Sequence, residues 1–72
     1  MKGILGYNFD NDRFRIIYDN GMSNDITSGN IINFNHNGEI KQSRVEYDRN
    51  YYLVAFSDIS LFDLMGCETE IV

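Results

Sequence analysis

Cysteine and histidine each occur once in this 72-residue chain, as Cys67 and His36. Neither an internal disulfide nor a structural metal set built from those residues can brace it, although small domains often rely on such staples. A chain of about 60 residues buries only roughly 60% of the surface its unfolded form exposes, so the hydrophobic effect must hold a small core with little stability to spare. Proline and tryptophan are absent while asparagine and isoleucine are abundant, a bias that accompanies AT-rich genomes. Nothing approaches the roughly 20 apolar residues of a membrane span, and MKGILGYNF is too short in its apolar part for a signal peptide. With a lone cysteine this fits a reducing, cytosolic setting, with no membrane partner. Basic residues are also scarce: 6 against 11 acidic ones, a formal net charge of -5, which repels phosphate backbones unless the cations gather on one face.

What is present is a succession of short alternating runs separated by turn residues, read as one domain over residues 1–72. Lys2 to Phe9 reads as a strand with Leu5, Tyr7 and Phe9 on one side, and Gly3 and Gly6 mark close approach or a bend. After Asp10-Asn11-Asp12, Arg13 to Tyr18 places Phe14, Ile16 and Tyr18 inward, predicting a hairpin with the first strand. Residues 22–29 have only Met22 and Ile26 as anchors and read as a loop with a short strand at most. Asn30 to Phe34 reads as a central strand, closed by His36-Asn37-Gly38, and Asn-Gly is a strong hairpin signal.

The return strand, Glu39 to Tyr47, holds a mismatch: Ile40 lies out of phase with Val45 and Tyr47. Either Ile40 covers a second face or a bulge resets the register, and corners in a small barrel favour the bulge. Tyr51 to Phe56, after Asp48-Arg49-Asn50, is apolar on both sides, as central or covered strands are. Ser57 to Met65 changes period, with Ile59, Phe62 and Met65 three apart and Ser60 at capping-box distance from Asp63, predicting a short helical or 3₁₀ turn ended by Gly66. Cys67 to Val72 reads as the last strand. The fold expected is mainly β: a small antiparallel, SH3-like, partly open barrel of about five to six strands.

Arg44-Val45-Glu46-Tyr47, a polar turn, Tyr51-Tyr52-Leu53-Val54-Ala55-Phe56 and a Leu-rich turn resemble a short domain-of-unknown-function family of Gram-positive bacteria, their phages and mobile elements. Its core reads approximately Thr-Arg-Ile-Glu-Tyr, then Trp-Tyr-Leu-Val-Gly. Gly3-Ile4-Leu5-Gly6-Tyr7 and the Arg13-Phe14 to Asp19 stretch are similar too, so the resemblance covers most of the chain. Tyr51, Ala55 and Ser43 stand where the family has tryptophan, glycine and threonine. The resemblance implies a setting rather than a chemistry: small acidic proteins of such elements bind and block host machinery, defence nucleases included, in the manner of anti-CRISPR proteins.

Candidate sites follow from charge and alternation. From Ser57 to Val72 there are four acids, Asp58, Asp63, Glu68 and Glu70, and no basic residue, interleaved with apolar groups such as Phe62. Such a segment suits a basic surface on a host protein; the plainer reading is a barrel cap kept soluble by acids. Arg44 and Glu46 share one strand face, as a ligand-contacting pair or as a solvated ion pair. The alternative function is nucleic-acid binding by Arg13, Arg15, Arg44 and the tyrosines, Tyr51 and Tyr52 among them. His36 lacks a neighbouring nucleophile or acid, and Cys67 reads as a buried thiol. Asp10 and Asp12 begin a calcium-loop pattern that Phe14, Arg15 and Ile17 break. No enzyme, metal or cofactor is expected.

Overall fold

The computed structural model describes residues 2–72. The strands are β1 (Lys2–Asn8), β2 (Arg13–Ile17), β3 (Ser23–Asp25), β4 (Ile31–His36), β5 (Glu39–Asp48), β6 (Asn50–Leu53) and β7 (Glu68–Ile71), with one 3₁₀ turn at Leu61–Leu64. All strand pairs are antiparallel and join in one open sheet of order β3-β2-β1-β7-β4-β5-β6. The fold is thus mainly β, with seven strands rather than five or six. The additional one is β3, in the segment whose pattern was weakest.

Alternation divides the sheet into two faces. Leu5, Phe14, Ile16, Ile32, Phe34, Val45 and Leu53 are buried on the inner face, joined by Ile26, Leu61 and Leu64 from the connections. Ile4 and Ile17 are register partners on the outer face, as are Asn33 and Gln42. The β4–β5 turn has Asn37 at φ 53° and Gly38 at φ 82°, two left-handed residues in succession, as a two-residue hairpin turn requires. Gly3 is close-approached as expected: a Cβ there would lie 2.5 Å from the Ile17 carbonyl oxygen.

Several expectations are corrected. The β4–β5 register runs without a break from Ile31↔Arg44 to His36↔Glu39, so there is no bulge after Ile40. Ile40 covers the second face, and its side chain is 64% exposed. Phe9 lies beyond the end of β1 and is exposed, because the Asn8 side chain takes the Asp10 N–H and turns the chain away. Met22 is exposed, leaving Ile26 as the one anchor of residues 22–29. Tyr51 to Phe56 is not a central strand: β6 is a sheet edge that stops at Leu53, where Phe56 N–H bonds back to the Leu53 carbonyl and Ala55 N–H to Ser43 Oγ. The 3₁₀ turn forms as predicted, with Ser60 and Asp63 completing a reciprocal capping box, but Leu61 and Leu64 are buried while Phe62 and Met65 are exposed.

The least local feature is β7. It lies between β1 and β4, pairing Lys2↔Glu70 on one side and Asn33↔Glu70 on the other. It joins the β1–β2 hairpin to the β4–β5–β6 meander. β5 then changes partners along its length, pairing with β4 up to Arg44 and with β6 from Val45.

Candidate functional site

The acidic residues singled out from the sequence are not gathered on one surface. Asp63 is engaged in its capping box, accepting the Ser60 N–H at 3.3 Å, and Asp58 is exposed in the turn before it. Glu68 and Glu70 lie on the outer face. Glu68 pairs with Lys2 at 3.5 Å, and Glu70 accepts from Asn33 Nδ2, whose Oδ1 in turn accepts from Gln42 Nε2 at 2.9 Å. Phe62 packs instead against Tyr7 and Phe14, at the inner-face end of the first hairpin.

Arg44 and Glu46 do form an ion pair, at 2.9 Å, and Ser28 Oγ donates to the same glutamate. Arg13, Arg15 and Arg44 alternate onto the outer face, away from Tyr7, Tyr47 and Tyr51, while exposed Tyr52, the register partner of Glu46, shares that outer face with Arg44. Arg15 Nε is shielded without a hydrogen-bond partner, while Asp25, its cross-strand neighbour, takes Asn11 Nδ2 at 2.8 Å. His36 lies 3.4 Å from Lys41 Nζ, and Cys67 is a free, half-buried thiol against the core. Among the described residues no group of three or more His, Cys, Asp or Glu side chains could hold a metal ion, and no helix is long and apolar enough to cross a membrane.

The geometry does build a site that reading the strands one at a time misses. Tyr7 and Phe14 are register partners in the β1–β2 hairpin, and Tyr47 and Tyr51 are register partners in β5–β6. Curvature of the sheet turns these two aromatic pairs toward each other, and Phe62 closes the space between them. Phe14, 3% exposed, is the floor. It meets Tyr7 at 4.9 Å, Phe62 at 4.8 Å and Tyr51 at 6.3 Å between ring centres, edge to face in each case, an arrangement aromatic quadrupoles favour. Tyr7 and Phe62 (5.4 Å) form one wall, and Tyr47 and Tyr51 (4.8 Å) the other. Asp12, Arg49, Asn50 and Ser60 complete the lining of a cleft of about 490 Å³.

That volume falls within the range of about 300–1,000 Å³ typical of ligand pockets. The hollow on the outer face between Lys2, Ile40, Glu68 and Glu70 measures about 50 Å³, room for water only. Both lips of the large cleft are turns with a left-handed residue, Asp12 at φ 53° and Arg49 at φ 69°. The Tyr7 hydroxyl donates to Asp12 Oδ1 at 3.4 Å. Partial desolvation, then the Asp12 carboxylate, raises the Tyr7 phenol above its ordinary value. Asp12 and Arg49 are the two charged residues of the lining, one of each sign, set on opposite lips. The signal was available in the hairpin registers, which set Tyr7 opposite Phe14 and Tyr47 opposite Tyr51. The convergence of the two pairs is tertiary.

Residues 3–71 match a family described as a domain of unknown function (DUF5348). No curated protein and no solved structure matches the chain.

Proposed function

We propose that this chain, which belongs to the DUF5348 family of domains of unknown function, works without catalysis, by holding a protein partner in its aromatic cleft. The observation that carries the reading is the convergence of five rings from two hairpins and the 3₁₀ turn on one cleft of about 490 Å³. Clustered tyrosine and phenylalanine side chains around a desolvated floor are what binding hot spots are made of. Asp12 in the lining and the chain's formal net charge of -5 favour a partner with a basic surface, whose encounter long-range attraction speeds.

The sequence resemblance to proteins of Gram-positive bacteria, their phages and mobile elements extends the reading. The partner is then a host protein met in the cytosol, and binding inhibits it; a defence nuclease is one such target. Of the residues singled out from the sequence, Phe62 lines this cleft and Asp63 follows it in the 3₁₀ turn, whereas Glu68 and Glu70 lie on the outer face. The nucleic-acid alternative draws less support, because Arg13, Arg15 and Arg44 point away from the clustered Tyr7, Tyr47 and Tyr51, and Arg44, which shares the outer face with Tyr52, is neutralised by Glu46.

The test compares tagged wild type, a Tyr47→Leu/Phe62→Leu variant and a Glu68→Gln/Glu70→Gln variant after incubation with Gram-positive host lysate. We expect a host protein retained by the wild type and the outer-face variant and lost from the cleft variant, as identified by mass spectrometry. Equal retention by the cleft variant overturns the reading.

A further inference from the structure

Deepening that reading and resting on it, we infer that the cleft takes an arginine side chain from a basic segment of the partner, seated between the two tyrosine-bearing walls with its guanidinium turned toward Asp12. The walls and floor are aromatic, and an aromatic ring presents a negative face to a cation. Asp12, in the lining of the cleft, supplies the matching charge.

Asp12 and Arg49 stand on opposite lips, one on the β1–β2 turn and the other on the β5–β6 turn. Arg49 repels an incoming cation from its own side and steers it toward Asp12. There the Tyr7 hydroxyl uses Oδ1, which leaves Oδ2 for a donor arriving from outside. Arginine fits this arrangement better than lysine. Its guanidinium is planar, so it stacks on ring faces, and it donates in a fork suited to a carboxylate, whereas an ammonium is a compact and strongly hydrated charge. A purely apolar insert would fill the floor but leave Asp12 without an answering charge.

The experiment titrates the full chain with an acetylated, amidated Gly-Arg-Gly-Arg-Gly peptide, and with the same peptide carrying citrulline, the neutral isostere, in place of arginine. Aromatic-ring NMR resonances of Tyr7, Tyr47, Tyr51 and Phe62 are followed. The arginine peptide is expected to shift these resonances with about tenfold higher affinity than the citrulline peptide, the scale of a partly desolvated cation–π contact.

Tyr47→Leu keeps apolar bulk at an exposed position but removes the ring face, and Asp12→Asn removes the charge. Each should weaken arginine binding severalfold while leaving the thermal midpoint close to wild type. Equal binding of the citrulline peptide, shifts confined to the outer face, or no shift with either peptide overturns the inference. If arginine fails while partner capture still depends on Tyr47 and Phe62, the arginine slot falls and the interaction reading stands. If arginine binds but capture ignores the cleft, the reverse holds.

Discussion

The hydroxyl of Ser43 joins β5 to the chain leaving β6: it accepts the Ala55 N–H at 3.0 Å and donates to the Arg44 carbonyl at 3.0 Å. Ser43 is 4% exposed, one of two buried polar residues among those described, and it sits where β5 passes from one partner strand to the other. Ser43→Ala leaves the Ala55 donor without its partner and should cost about 1 kcal/mol. Ser43→Thr keeps the hydroxyl and should cost less. Urea midpoints for the two variants decide this, and equal midpoints would refute the role assigned to the hydroxyl.

Gly3 and Gly6 lie on the same strand but differ in what a side chain would meet. At Gly3 the new carbon would lie 2.5 Å from the Ile17 backbone oxygen and 2.6 Å from Ile16 Cγ2, in a place where backbone must shift. Gly3→Ala should destabilise by about 2 kcal/mol or more, as overpacking does. At Gly6 the close atom is Ile17 Cδ1 at 2.7 Å, the free end of a half-exposed side chain. Its movement, together with the roughly 0.5–1 kcal/mol gained by removing a strand glycine, should leave Gly6→Ala close to wild type. Denaturant unfolding of both variants reads the contrast.

The raised Tyr7 phenol links stability to alkaline pH. Its stabilising contribution is fully present below the ordinary value of 10.0 and is lost as pH rises through the higher folded value, because the unfolded phenol gives up its proton first. Asp12→Asn removes the neighbouring charge while burial stays, so Tyr7 should ionise at lower pH than in the wild type. Phenolate absorbance with the Tyr7 resonance followed by NMR measures this; an unchanged titration would show that Asp12 has no influence there.

The Lys2–Glu68 ion pair, with both side chains more than half exposed, should contribute little. Glu68→Gln is expected to change stability by less than about 0.5 kcal/mol, and raising the salt concentration should erase even that. A larger loss in low-salt thermal melts would mean that the outer face is more tightly organised than this exposure implies.

Much of the local structure was written in short-range pattern. Phe14 and Ile16 alternate inward as their spacing demands, Asn37-Gly38 turns as its dihedral freedom demands, and Ser60 with Asp63 caps the turn it precedes. Ile26 was harder to place, because one buried side chain among polar neighbours has no period to announce it. Ile40 misled for a different reason: its phase was legible, but exposure on the outer face was not. Period two says which residues share a side and is silent on which strand lies next door, so the position of β7 between β1 and β4 could not be read. The cleft depends on the same missing information, since Tyr7 and Tyr51 are brought together only when the sheet curls.

That central β7 also dictates an order of events at the ribosome. The β1–β2 hairpin and the β4–β5–β6 meander can form from neighbours as they emerge, but the strand that unites them is synthesised after both. Until it clears the exit tunnel, β1 and β4 each present a bare hydrogen-bonding edge, the kind that recruits strands from other chains. Its pairing of Lys2 with Glu70 then closes a loop of nearly the whole chain, a slow, non-local step. The nascent protein is therefore most exposed to aggregation and to chaperone capture just before its last strand arrives.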